Sequence, residues 1–311
     1  MRRMKIAEVI LFVSLGLAAM AAGAREYHGN SHCQAEPQLA QKLRLQGPLM
    51  ALGASVSSGL LADEFPEIVA KQMCLEDGRD YFYRFAYFDR VYQRTFDFME
   101  KIYRRQRPRL VLALDYLYHR FKRVRFNEET RAALDEWLAR LVLDCGHEKI
   151  DCSEHGAYSF VAEEAYRPVV ILGTVYYDNI IDCSQSRPRS RPARKGHPDY
   201  LNRDQLYQCR RDIDAINAYL RQKASLYPNL FIFPVYALYQ TLRTPPYLYD
   251  YRVDGVARSY HRDELLFDTF HPRTDPGALV FANLIIDYLN GLIARGEIDF
   301  ETPVPYVQIG R

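Results

Sequence analysis

Apolar positions along the chain fall into short unbroken runs separated by longer stretches of helical spacing. The runs are Leu49-Met50-Ala51-Leu52, Tyr81 to Ala86, Leu110 to Leu114, Pro168 to Leu172 and Asn229 to Val235. Runs of this length, apolar at consecutive positions and bounded by glycine or polar residues, read as strands buried on both faces. Between them, Asp89 to Arg105 carries Val91, Phe96, Phe98, Met99 and Ile102 at helical spacing. Asn127 predicts the cap of a helix that runs to about Leu143 and includes Trp137, Leu138 and Leu141. Leu201 to Ser225 predicts one long helix, and Glu36 to Leu45 a short one. Pro276 to Ile293 predicts a closing helix with Leu279, Phe281, Leu284, Ile285 and Leu289 as its apolar positions. Strands alternating with helices predict an α/β fold, a three-layer α/β/α sandwich around a five-stranded parallel sheet. In such a sheet the loops that follow the strands gather at one edge, where sites collect.

Two stretches break this rhythm. Gly146 to Ala165 is polar and holds a cysteine, and Asp182 to Arg203 is rich in Arg, Pro and Ser. Both are expected to be insertions or surface loops, and no internal repeat is present.

The first 24 residues stand apart. Arg2, Arg3 and Lys5 precede a mostly apolar stretch from Val9 to Ala22, and Ala22-Gly23-Ala24 offers a small-x-small cleavage site. This predicts a signal peptide over residues 1–24, with Arg25 opening the mature chain, and hence export to the periplasm or the medium. A polar extension at 25–47 precedes the folded region, and 296–311 forms a C-terminal tail. After Ala24 no stretch reads as a membrane span. The leader's three cations and one anion account for the whole formal charge of +2. The mature chain is then near neutral, which argues against a nucleic-acid partner. The basic cluster from Lys101 to Arg109 reads as a solvated helix end. An apolar fraction of 48% and a charged fraction of 26% are those of a folded globular protein.

Six cysteines in an exported chain predict disulfides: Cys33, Cys74, Cys145, Cys152, Cys183 and Cys209. Spacing favours Cys145–Cys152 as a local closure and leaves the other pairings open. A zinc site that recruits His147 is the weaker rival, because no two cysteines form a C-x-x-C pair.

Two stretches carry candidate chemistry. GASVSSG, residues 53–59, follows the first predicted strand. Ser55 at that turn would present its hydroxyl at the sheet edge, with Ser57 and Ser58 as alternatives. Phe267-Asp268-Thr269-Phe270-His271-Pro272 precedes the last helix. An Asp three positions before a His can orient the imidazole while its other nitrogen faces a serine. His261, with Asp263 or Glu264 as orienter, is the rival for this role, and local capping is the bland reading of each pair.

LMALGASVSSGL (49–60) and FDTFHPRTDPGALVFANLIIDYLN (267–290) resemble the first and last motifs of the SGNH hydrolases, the GDSL esterase/lipase family. The resemblance spans residues 48–295, and the distal block is its specific part. It implies a flavodoxin-like SGNH fold and a serine esterase with Ser55 as nucleophile, His271 as base and Asp268 as its orienter. The implied substrate is a small-molecule, lipid or O-acylated glycan ester, and neither a cofactor nor a metal is implied. Three positions depart from the family pattern. Ala54 stands where an Asp is usual, residues 84–90 hold no glycine, and residues 113–120 hold no asparagine. The oxyanion donors must then come from Ser55, Asp89, Tyr116, Tyr118 or His119. Two alternatives remain: a catalytically degenerate binding or envelope-assembly protein, and an acyltransferase using the same triad.

Overall fold

A computed structural model describes residues 30–53, 65–85, 92–117, 125–175, 203–267 and 271–309. The expected leader, the stretch 182–202 and Cys183 lie outside them. The elements in chain order are α1 (His32–Ala35), α2 (Pro37–Arg44), β1 (Leu49–Gly53), α3 (Phe65–Gln72), β2 (Tyr81–Phe85), α4 (Tyr92–Gln106), β3 (Leu110–Ala113), α5 (Glu128–Val142), α6 (Ser159–Glu163) and β4 (Val169–Gly173). There follow α7 (Arg203–Ala224), β5 (Leu230–Phe233), α8 (Val235–Arg243), the strands β6 (Leu248–Val253) and β7 (Val256–His261), and α9 (Arg262–Leu265). A π-turn (Thr274–Ala278) leads into the last helix, α10 (Leu279–Ala294).

The apolar runs become a five-stranded sheet in the order β2-β1-β3-β4-β5, with every pairing parallel. Side chains alternate across a strand, and here the alternation divides the core in two. Leu49 and Ala51, Leu110 and Leu112, Val169 and Ile171, and Phe233 face a layer that includes α3, α8 and α10. Met50 and Leu52, Val111 and Ala113, Val170 and Leu172, and Leu230 face a layer drawn from α4, α5, α6 and α7. The result is an α/β/α sandwich, as expected from the alternation.

Element by element, the sequence reading holds to within a few residues for the sheet. It also holds for α2, α4, α5 and α7. Asn127 caps α5 by accepting from the Thr130 amide at 2.9 Å, and the helix ends at Leu143 in the left-handed conformation. The polar stretch 146–165 is a loop for most of its length but contains α6, whose Phe160 and Val161 are buried. The expected start of the last helix at Pro276 is three residues early. Asp275 is non-helical, and the regular α-helix begins at Leu279. The segment Asp275–Ala294 is long and apolar enough to cross a membrane, contrary to the expectation that nothing past the leader is. Its apolarity follows from its place in the fold, where Val280, Ala282, Ile286 and Leu289 are fully enclosed. The antiparallel hairpin of β6 and β7 is a second, separate sheet that the apolar pattern did not announce.

Cys145–Cys152 is bonded, as spacing suggested, and Cys33–Cys74 ties α1 to the end of α3. Cys209 is disulfide-bonded as well. Such bonds imply an oxidising, extracytoplasmic environment.

Gly173 closes β4 where the backbone of Leu114 passes. A Cβ built there would lie 1.7 Å from the Leu114 carbonyl oxygen, so only glycine lets the ends of β3 and β4 approach. Gly173→Ala is therefore expected to cost about 3 kcal/mol or more in urea unfolding, the upper end of overpacking penalties. Gly78→Ala, where a Cβ meets nothing within 4 Å but φ is +74°, is expected to cost only the ~1–2 kcal/mol of left-handed backbone. Loop entropy ranks the disulfides: removing Cys33–Cys74, with a separation of 41 residues, should cost about 4 kcal/mol. Removing Cys145–Cys152, with a separation of 7, should cost about 2.4 kcal/mol. Paired Cys→Ser variants compared by denaturant unfolding test that order.

Candidate functional site

Because the strands are parallel, Gly53, Phe85, Ala113, Gly173 and Phe233 all end at one edge of the sheet. The opposite edge is marked by Arg109, whose guanidinium donates to the carbonyls of Leu45 and Asp299 at 2.6 and 3.0 Å. It is also marked by the Thr302 amide, which donates to Gln46 Oε1 at 2.7 Å. These contacts fix the C-terminal end of α10 at the amino edge of the sheet. The helix has 16 residues, about 24 Å at 1.5 Å per residue. Its first turn, and His271 just before it, therefore lie toward the carboxyl edge.

His271 sits in a braced loop. The Phe267 amide donates to the His271 carbonyl at 2.8 Å, and Leu266 and Pro272 form an antiparallel bridge. Beyond the bridge, the Arg273 amide donates to Leu265 O at 2.8 Å and Arg273 Nε to Leu266 O at 3.1 Å. The Ala278 amide returns to Arg273 O at 2.6 Å, closing the π-turn. His271 itself is only 8% exposed. Asp268 falls between the two bonded ends of this loop, outside the described residues. Ser55 is two positions beyond Gly53 in sequence and also lies outside them, with its alternatives Ser57 and Ser58.

The rival pair resolves differently. His261 is the N-cap of α9: its ring accepts from the Asp263 amide at 3.3 Å, and Glu264 Oε2 accepts from the His261 amide at 2.7 Å. This reciprocal cap ends β7 and starts the turn toward His271, a local structural duty for His261, Asp263 and Glu264.

Of the oxyanion candidates, Asp89, Tyr118 and His119 lie outside the described residues. Tyr116 is described, and its placement argues against that role. Its ring packs on Trp137 with centroids 4.5 Å apart, and its hydroxyl donates to Met99 Sδ at 3.5 Å, inside the core between α4 and α5. Asp115 is also buried, at 2% exposure, immediately beyond the end of β3. Tyr251 is enclosed, with Asn283 donating to its hydroxyl at 3.0 Å, and burial pushes its phenol up to about 12.

Two residues that shape the edge were missed by sequence reading. Asn217 on α7 binds both backbone groups of Val175, accepting from its amide and donating to its carbonyl at 2.7 Å each. Thr174 accepts from the Tyr236 amide at 2.8 Å through its hydroxyl, while its own amide donates to Phe233 O. Together they fix the path of the chain as it leaves β4. The signal for Asn217 was available: it is an amide among Ile213, Ile216 and Leu220 on the inward face of a long helix.

No protein-family model matches the sequence, and no curated protein matches it. Among solved structures, the chain is similar to the N-terminal part of the protein BF1531 from Bacteroides fragilis, described as containing a phosphatase domain complexed with Mg. The two are 13% identical with a TM-score of 0.38, over 84% of this chain and 57% of that one. A likeness this remote bears on neither activity nor substrate.

Gly277 supplies a test of the braced loop. A Cβ there would lie 2.1 Å from Leu265 O, the acceptor that holds Arg273. Gly277→Ala should displace that carbonyl and open the Leu266–Pro272 bridge. The expected outcome is amide exchange at Phe267 and Arg273 faster by at least about tenfold, about 1.4 kcal/mol of local stability, with far-UV dichroism unchanged. Unaltered exchange would show that the loop does not depend on this contact.

Proposed function

We propose that the chain is a serine ester hydrolase of the SGNH type, exported to the periplasm or the medium, acting on a lipid or O-acylated glycan ester. The observation that carries this reading is the placement of His271. It is buried in a braced loop between the hairpin and the last helix, toward the carboxyl edge of a parallel sheet. The distal motif requires a histidine at that place. The order β2-β1-β3-β4-β5 supports the reading, since it is the flavodoxin-like arrangement in which ligands bind outside the carboxyl ends of the strands. The first motif adds its weight by chain order, because Ser55 follows the strand whose two neighbours place it inside the sheet.

In this mechanism Ser55 Oγ attacks the ester carbonyl as its proton passes to His271, which Asp268 orients. The tetrahedral intermediate collapses, and His271 gives the proton to the leaving alcohol. Water, deprotonated by His271, then attacks the acyl-enzyme and releases the acid with Ser55 restored. The Ser55 amide supplies one oxyanion donor, and Asp89, Tyr118 and His119 are the positions for a second. The enclosed Tyr116 drops out of that role.

The mature oxidised protein is expected to hydrolyse p-nitrophenyl acetate or butyrate, and Ser55→Ala and His271→Ala to lower kcat/KM by about 10³-fold or more. Equal turnover by wild type and Ser55→Ala would remove the nucleophile assignment. Absence of turnover and of labelling by a fluorophosphonate would leave the degenerate binding protein as the better reading.

A further inference from the structure

The loop that carries His271 is a short antiparallel ribbon, and its register sets two side chains beside each other. Leu266 and Pro272 form the bridge. On one side of it the Arg273 amide donates to Leu265 O, and on the other the Phe267 amide donates to the His271 carbonyl, each at 2.8 Å. Residue 267 therefore stands directly opposite residue 271. Opposite residues of an antiparallel pair project to the same face of the ribbon, with Cβ atoms about 4.5–5.5 Å apart. Leu266 and Pro272, one step along, project to the other face and are buried. His271 is 8% exposed, whereas its neighbour Phe267 is 49% exposed. Among the described residues Phe267 is one of the few large apolar side chains that the fold leaves open to solvent.

In the hydrolysis proposed above, His271 gives its proton to the leaving alcohol, so the alcohol oxygen comes within about 3 Å of the imidazole. The acyl carbon is bonded to Ser55, and its chain diverges from the alcohol at the tetrahedral centre. The part of the ester that meets Phe267 is therefore whatever is attached to the alcohol oxygen. The chain on either side of this ring is polar: Asp263 and Glu264 before it, and Arg273 and Asp275 after the histidine, are all exposed. A lipid chain of many methylenes requires a continuous apolar lining. An open phenyl ring bordered by charged residues offers instead one flat apolar face with a polar rim. A pyranose has the matching shape, with C–H bonds on a face and hydroxyls around the edge.

We propose that Phe267 is a specificity-determining residue of this site, the wall on which the alcohol part of the ester stacks, and that this alcohol is a sugar ring of an O-acylated glycan. The assignment rests on the esterase reading with His271 as base, and it narrows the substrate from lipid or glycan to glycan. It also divides the site: Phe267 serves the alcohol, and the acyl group is left to the Ser55 side.

The test compares the mature oxidised protein with Phe267→Ala and Phe267→Tyr on acetates that differ only in the alcohol: a mono-O-acetyl methyl glucoside, octyl acetate and methyl acetate, followed by acid release. For Phe267→Ala, the ratio of kcat/KM on the glucoside to that on methyl acetate is expected to fall at least about tenfold, chiefly through KM. Phe267→Tyr should restore most of that ratio, and the ratio cancels any general loss of active protein. An unmoved ratio would overturn the proposal, as would a larger fall on octyl acetate, the mark of a lipid alcohol. A second arm needs no turnover. Binding of the same glucoside to Ser55→Ala protein, with and without Phe267→Ala, is followed by ligand-observed NMR, and the added substitution should weaken it by a similar factor. Phe267-dependent binding without turnover of any acetate by the wild type would sink the esterase reading and keep the sugar subsite. Turnover of methyl acetate with neither ratio nor binding dependent on Phe267 would keep the esterase and sink the subsite. Absence of both turnover and binding would overturn both.

Discussion

The need to bury both faces of a parallel sheet governs the rest of this molecule. A strand that is apolar at consecutive positions has no side to give to water, so each crossover must carry a helix. Odd and even positions of the same strand then belong to different cores, as Leu49 and Met50 do. Crossovers also force every strand to run the same way. All five chain exits therefore gather at one edge, while Arg109, Gln46 and the tail tie off the other. The position of His271 follows from the layering before any catalytic property is considered.

The carboxyl edge is held by contacts that belong to no sheet ladder. Asn217 grips Val175, Thr174 links β4 to the first turn of α8, and Gly173 lets Leu114 pass in contact. The His271 loop is fixed from behind by the cap at His261 and by the carbonyls of Leu265 and Leu266. Each uses a backbone group that the end of a strand or helix leaves without a partner in its own element. Precision at the edge and satisfaction of buried polar groups are thus achieved by the same bonds.

The sheet was legible in the sequence because a short, continuous apolar run between polar turns fits little besides a strand covered on both faces. α5 was legible because Asn127 is a strong cap signal. The hairpin was not, since β6 places Tyr251 and Val253 inward and Asp250 and Arg252 outward, without the continuous apolar run that marks the strands of the main sheet. α8 was hidden because it begins directly after Pro234, within what read as the end of a strand. The distal block singled out His271 in the sequence, whereas the capping duty of His261 needed coordinates. Tyr116 shows the limit of pattern alone: a tyrosine just past a strand can face the edge or the core, and only packing against Trp137 decides. Asn283 and Asn290 bind the backbone of Val307 and Val304, a pairing set by how the segment after α10 packs, so no local pattern reveals it.

The grip of Asn217 on Val175 has a mechanical side. The same helix seats Ile213, Ile216 and Leu220 in the core on either side of that asparagine. A cylinder keyed into its surroundings by side chains along one face resists rotation about its own axis. Val175 therefore senses the torsion of α7. A rotation of that helix is felt first where β4 ends.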